Sequence, residues 1–149
     1  MNNSPNAARH YFEKQILNST PAERVVLLYD GAIRALNEAK KAIADKRVQD
    51  RCNANQKAKE IIGHLADTLD MAQGGEIARN LDRLYKHMLV RLLDVDFKND
   101  ASALDEVINN LRPLRESWAK LAQGQKQEAT GQTSATAAQP PQQPTDAVV

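Results

Sequence analysis

The sequence predicts an all-α protein: an antiparallel up-down four-helix bundle with an N-terminal arm and a disordered C-terminal tail. Apolar residues recur at helical spacing in four segments, and no segment alternates as a β-strand does. Short polar breaks separate these segments, and short connections between long helices favour antiparallel neighbours. We expect the arm at residues 1–19, the bundle at 20–122 and the tail at 123–149.

The first bundle helix is predicted to begin after Thr20, in the segment STPAER. Thr20 is a good N-cap, Pro21 occupies the favoured first helical position, and Glu23 completes a capping box. Five consecutive apolar residues, 25–29, then widen the apolar arc of this helix. A helix with so wide an apolar arc is buried on most sides or contacted by a partner.

The second helix is expected at about 48–72, ended by Gly74-Gly75, and the third at about 76–97. The segment KNDAS at 98–102 then breaks the pattern, and Asn99 or Asp100 would cap the fourth helix.

Pro113 removes a backbone donor within the fourth helix and should kink it. From Gln123 onward the chain contains no Leu, Ile, Phe, Tyr or Trp. Such a segment cannot bury enough apolar surface to offset the entropy of ordering, so we expect disorder there.

Charge and composition exclude several classes of function. Lys and Arg number 20 against 19 Asp and Glu, so a nucleic-acid partner is not expected. Cys52 is the single cysteine, which fits a reducing compartment. The N-terminus lacks a signal-peptide core, and no apolar run approaches the roughly 18 to 20 residues that span a bilayer. We expect a soluble, cytoplasmic protein that does not insert into membranes.

The sequence offers no complete catalytic or metal site. Glu60 and His64 are four residues apart, and the Glu-x-x-His pairs of di-metal bundles require three and a second copy. Cys52 has no partner that suggests a nucleophile. We therefore predict no enzyme, no cofactor and no metal. A metal-dependent bundle enzyme that uses His64 and His87 is the weakest alternative.

The dipeptide Asp30-Gly31 lies in the middle of the first bundle helix, although Asp-Gly is a turn signal. Glycine there is about 1 kcal/mol less favourable than alanine. A close approach by a neighbouring helix or by a bound partner would offset this loss. Asp30 is either solvated or paired with a basic side chain, and Tyr29 belongs to the core or places its ring in a groove.

Six motifs follow one another in a characteristic order: STPAE, LLYDGAIRAL, LDMAQGGEIARNL, LYKHM, DFKNDASALDEV and LRPLRESW. Together they resemble the flagellin export chaperones of the FliS family, from about Tyr11 to Leu121. Pro113 and the tail depart from the family pattern.

The resemblance implies a cytoplasmic four-helix bundle that binds the C-terminal segment of newly made flagellin and keeps it from polymerising. It also implies delivery to the flagellar export gate and, for some relatives, contact with regulators of flagellar gene expression.

The arm carries Tyr11, Phe12, Ile16 and Leu17 in an amphipathic arrangement. It either packs onto the bundle as a hydrophobic staple or, as the family suggests, covers the cargo groove as a movable cap. In the third helix, Asn80 on a broad face would bond a partner's backbone or water. The residues expected to bind a partner are Tyr11, Ile16, Leu28, Tyr29, Gly31, Ala32, Ile77, Asn80, Leu81 and Tyr85.

The alternative to a chaperone is a non-catalytic bundle adaptor that self-associates through the same apolar face. We expect the free chaperone to be a monomer or a weak dimer, whereas the adaptor would form a tight dimer.

Overall fold

A computed structural model describes residues 5–129 of the 149-residue chain. Within that range the chain forms five helices and no strand, which confirms the predicted all-α class. The helices are α1 Pro5–Leu17, α2 Pro21–Ala44, α3 Val48–Asp67, α4 Met71–Lys98 and α5 Ala101–Ala129.

Helices α2 to α5 form the bundle, and α1 is the arm. Helix α2 packs against α3 and α5, and α4 packs against the same two helices, so α2 and α4 are diagonal. No helix among residues 5–129 is long and apolar enough to cross a membrane. The largest fully buried side chains are Val25, Tyr29, Leu36, Ile62, Leu65, Tyr85, Met88, Leu92, Val95, Leu104 and Leu111.

The start of α2 confirms the predicted capping box. The Glu23 N–H donates to Thr20 Oγ1 at 3.2 Å, and the Thr20 N–H donates to Glu23 Oε1 at 2.9 Å. Two of the backbone donors that a helix start leaves unpaired are thereby satisfied. This local motif fixes the point at which the arm ends and the bundle begins.

The boundary between α3 and α4 differs from the prediction. Helix α3 ends at Asp67 instead of continuing to about residue 72. Asp70 then caps a new helix, because its Oδ1 accepts from the N–H groups of Ala72 and Gln73 at 3.0 Å each. Gly75, at φ 53° and ψ −130°, interrupts α4 after its first turn. The glycine pair therefore breaks the start of α4 and does not end α3.

Helix α5 begins at Ala101, and Asp100 caps it as predicted, because its Oδ1 accepts from the Ser102 N–H at 2.9 Å. It passes through Pro113 as one element and ends at Ala129, beyond the expected boundary at residue 122. Gln125 Oε1 accepts from the Ala22 N–H at 3.1 Å, which ties this last part of α5 to the start of α2. The remainder of the predicted tail, 130–149, lies outside the described residues.

Polar contacts join α3 to α4 near the end of the bundle where α4 terminates. The buried Asn55 donates from Nδ2 to the Leu92 carbonyl at 3.0 Å. One turn further along α3, Lys59 Nζ lies 2.8 Å from Asp96 Oδ2. Asn55 is a buried polar residue that the apolar pattern of the sequence does not identify.

Candidate partner-binding surface

Three of the ten residues expected to bind a partner belong to the core. Tyr29, Ala32 and Tyr85 are each fully buried. The Tyr29 and Tyr85 hydroxyls share a hydrogen bond that links the diagonal helices α2 and α4. Burial raises the pKa of Tyr85 to about 12, and burial together with Tyr85 raises the pKa of Tyr29 further. These side chains support the surface from within and do not form it.

Asp30 and Gly31 contact two different neighbouring helices. Arg115 on α5 donates from Nε to Asp30 Oδ1 at 2.8 Å, so the expected basic partner of Asp30 is present. A Cβ added to Gly31 would lie 3.3 Å from Ile61 Cδ1 on α3. The Asp-Gly pair thus joins α2 to α5 on one side and allows close packing against α3 on the other.

Four further predicted residues are at least partly exposed. Leu28 and Leu81 are partly buried against the core. Ile77 is 45% exposed, and the exposed Asn80 accepts at Oδ1 from Arg83 Nη1 at 3.1 Å. On the first turns of α4, Ile77 and Asn80 are therefore accessible to a partner, whereas Tyr85, further along the same helix, is not.

The arm carries the remaining two candidates, Tyr11 and Ile16. Tyr11 is 73% exposed and Leu17 is 82% exposed, so neither of these two side chains packs onto the bundle. The helix pairs that pack together in the bundle are formed by α2 to α5, and α1 does not belong to any of them. The side chains of Phe12 and Ile16 lie outside the described part of the arm.

An open groove runs between the N-terminal half of α2 and the C-terminal part of α5. Its volume is about 600 Å³. Val26 and Leu27, half-buried members of the apolar run 25–29, line it from α2. Asn18 and Ser19, where the arm joins the bundle, lie at one end. The remaining lining residues are Glu23, Ala119, Ala122, Gln123 and Lys126.

His64 and His87, the histidines of the metal-enzyme alternative, lie in different surroundings. His87 Nε2 is 3.2 Å from Glu106 Oε2, and Arg91 Nε donates to Glu106 Oε1 at 3.0 Å. Hydrogen bonds from Arg91 and His87 lower the pKa of the Glu106 carboxyl. His64 is exposed. Across residues 5–129 no three His, Cys, Asp or Glu side chains are grouped as a metal site would require.

The sequence reasoning missed an apolar stripe on the outer face of α4. Val90, Leu93 and Phe97 are 65%, 41% and 79% exposed. Met88, Leu92 and Val95 of the same helix are fully buried, so the two sets occupy opposite faces. Positions 90, 93 and 97 are separated by three and then four residues, which is helical spacing and the signal that indicates this stripe. The apolar pattern of the core face is longer and stronger, so it dominates the sequence of this helix.

Comparisons with known proteins agree on one family. The family model for "Flagellar protein FliS" matches residues 3–125. The flagellar secretion chaperone FliSB of Pseudomonas aeruginosa is 37% identical over 106 residues, covering 71% of this chain and 84% of the relative. FliS of Salmonella typhimurium is 36% identical over 111 residues, covering 74% and 82%. FliS of Bacillus subtilis is 26% identical over 121 residues, covering 81% and 90%.

Proposed function

The chain belongs to the FliS family of flagellar proteins, and from this membership we propose that it is a flagellar export chaperone that binds the C-terminal segment of flagellin. Relatives in three bacteria carry the name flagellar secretion chaperone. In this proposal the protein acts by binding alone, holds its client unpolymerised in the cytoplasm, and delivers it to the export gate.

The observation that carries the proposal is the groove between α2 and α5. It has an apolar floor at Val26, Leu27, Ala119 and Ala122 and charged residues such as Lys126 at its edge. An amphipathic helix binds such a groove by placing its apolar face between two helices. Burial of the client's apolar surface contributes about 25 cal/mol per Å², less the free energy of ordering the client. This groove would therefore bind a client segment that folds on binding.

The arm joins the bundle at one end of this groove and carries exposed apolar side chains. Asn18 and Ser19 lie at one end of the groove, and α1 ends immediately before them in the chain. Tyr11 and Leu17 on α1 are exposed and available for contact with a bound client. We propose that α1 closes over the client, so that both the groove and the arm contribute to affinity.

The test is an isothermal titration of the full chain with a peptide of about 40 residues from the C-terminus of flagellin of the same cell. We expect one-to-one binding and a negative heat-capacity change, the mark of coupled folding and apolar burial. Leu27→Ser should weaken binding about tenfold, because it removes a large apolar side chain from the lining of the groove. Val48→Ser removes an apolar side chain that is 62% exposed and outside the groove, and it should leave the affinity within about twofold.

The arm is tested by deleting residues 1–17. We expect weaker peptide binding together with an unchanged helical melt, because Tyr11 and Leu17 do not pack on the bundle. A melt that collapses would show that the arm has a structural role. No binding to the wild-type chain, together with a dimer in sedimentation equilibrium, would refute the chaperone proposal and favour the self-associating adaptor.

A further inference from the structure

The outer face of α4 carries one continuous line of six exposed residues. Their positions, 79, 83, 86, 90, 93 and 97, are separated by alternating steps of four and three residues. This alternation is the heptad spacing that keeps side chains along one face of a helix. At 1.5 Å per residue the line extends about 27 Å. We call it the outer stripe; its residues are Arg79, Arg83, Lys86, Val90, Leu93 and Phe97.

The outer stripe has a basic half and an apolar half. Arg79, Arg83 and Lys86 occupy the half nearer the start of α4, and all three are exposed. The apolar half contains Val90, Leu93 and Phe97, which are large apolar side chains left in water on a bundle whose core is already filled by the opposite face. An aligned group of exposed apolar side chains marks an interaction surface more often than a single one does.

The cations of the basic half are available to a partner. Arg79 Nη2 lies 2.9 Å from Glu76 Oε1, and Lys86 Nζ lies 2.9 Å from Asp82 Oδ2. Arg79 and Lys86 are 52% and 69% exposed in these pairs, and surface ion pairs of this kind contribute at most about 1 kcal/mol. Arg83 Nη1 donates to a neutral amide oxygen, Asn80 Oδ1, at 3.1 Å. Carboxylates of a partner could therefore replace these contacts at little expense.

We propose that the outer stripe binds an amphipathic helix of another protein, with apolar residues over two turns and Asp or Glu residues over the adjoining two turns. The apolar half would bury Val90, Leu93 and Phe97 against the partner's apolar turns. The basic half would place its three cations against the partner's carboxylates. Helix pairs with heptad spacing select partners in this way, by apolar contact and by charge.

The charge pattern disfavours a second copy of this chain as the occupant. In a parallel pair of α4 helices, the three cations of one copy would face the three cations of the other. In an antiparallel pair that used the whole stripe, the cations would face the apolar half. Neither arrangement brings opposite charges together, so the partner of matching chemistry is a different, acidic helix.

The outer stripe is separate from the groove proposed for flagellin. Helix α4 is diagonal to α2, and the stripe faces away from the core that lies between them. A client in the α2–α5 groove would therefore leave the outer stripe free. The two surfaces allow the protein to hold two partners at once, and each can be tested without the other.

The experiment uses fluorescence anisotropy with the full chain and two designed helical peptides of about 21 residues. Both carry Leu at heptad positions over two turns. The next two turns carry Glu at those positions in the acidic probe and Lys in the basic probe. We expect the acidic probe to bind and the basic probe to show no saturable binding. Raising the salt concentration should weaken binding of the acidic probe, because exposed ion pairs are screened.

Variants assign the binding to the outer stripe. Phe97→Ser and Arg83→Glu should each weaken binding of the acidic probe about tenfold, and Val48→Ser should not change it. Phe97, Arg83 and Val48 are all exposed, so the three variants should share the wild-type thermal melt. The flagellin peptide should bind Phe97→Ser and wild type equally.

Four results would overturn the inference. The first is failure of the acidic probe to bind, or equal binding of both probes. The second is binding that Phe97→Ser leaves unchanged. The third is a wild-type dimer that Phe97→Ser dissociates, which would make a second copy the occupant. The fourth is displacement of the acidic probe by the flagellin peptide, which would make the stripe part of the client surface.

Discussion

The hydrogen bond between Tyr29 and Tyr85 leads to a prediction about both stability and binding. Both side chains are fully buried, and their hydroxyls bond each other. Tyr29→Phe would leave the buried Tyr85 hydroxyl without this partner, and it would also remove the hydroxyl that Trp118 hydrogen-bonds. An orphaned buried polar group costs about 1–3 kcal/mol. Tyr29→Phe should therefore lower the free energy of unfolding by about that amount. In Tyr85→Phe the Tyr29 hydroxyl keeps its hydrogen bond with Trp118, so the loss should be smaller.

The double variant Tyr29→Phe/Tyr85→Phe should be less destabilised than the sum of the two single variants. It removes both hydroxyls, so neither is left unsatisfied, and the loss that remains is that of the contact between Trp118 and Tyr29. The coupling energy should be about 1–2 kcal/mol, within the range for residues in direct contact. Urea unfolding followed by circular dichroism at pH 7 gives the four free energies that the cycle needs.

The same variants test whether Tyr29 contacts the client. Its side chain is inaccessible, so Tyr29→Phe should leave affinity for the flagellin peptide within about twofold. Single losses below about 0.5 kcal/mol that simply add in the double variant would refute the reasoning about the buried pair. A tenfold loss of affinity by a fully folded Tyr29→Phe would show that the bundle opens to present this residue.

Three other predictions concern stability. Burial raises the pKa of Tyr85 to about 12, while an unfolded tyrosine ionises near pH 10. Tyr85 should therefore contribute a fall in the free energy of unfolding between about pH 10 and pH 12, of up to about 1.4 kcal/mol per pH unit, and Tyr29 should add to it because its pKa is also raised. Urea unfolding at pH 9 and 11 should show a smaller fall for Tyr85→Phe than for wild type. Gly31→Ala should raise the free energy of unfolding by up to about 1 kcal/mol, because alanine is the better helix former. The added Cβ would lie 3.3 Å from Ile61 Cδ1, which is the end of a half-buried side chain that can move. A lower melting temperature of the variant would contradict this prediction. Arg115→Gln removes the ion pair with Asp30 and should lower the free energy of unfolding by no more than about 1 kcal/mol, because the two side chains are 33% and 34% exposed. A larger loss, or a loss that added salt does not change, would argue against a screened surface ion pair.

Local signals in the sequence predicted the bundle well. The order Thr20, Pro21 and Glu23 defines a helix start whatever the rest of the chain does, because the capping contacts lie within three residues. The boundary between α3 and α4 was predicted wrongly because Asp70 and Gly75 are competing signals only five residues apart. Asp70 satisfies the first donors of the new helix before the glycine is reached, so the helix begins ahead of it.

The candidate surface was harder to predict than the fold. Apolar spacing shows which face of a helix is apolar, but it does not show which neighbour covers that face. Tyr29 and Leu27 belong to one apolar run, yet Tyr29 is fully buried and Leu27 lines an open groove. The packing of α5 beside α2 decides this difference. Phe97 was overlooked for a related reason, since the dominant pattern of α4 described its other face.

The buried amide of Asn55 sets the axial register of α4 relative to α3. Its Nδ2 reaches the Leu92 carbonyl at 3.0 Å. If α4 slid by one turn along α3, that carbonyl would move about 5.4 Å away and the amide would lose its acceptor. Apolar side chains alone would tolerate such a slip, because contacts between them are not directional. Asn55 therefore fixes the axial register of this helical hairpin. It thereby also fixes the position of the outer stripe along the bundle axis relative to the other helices.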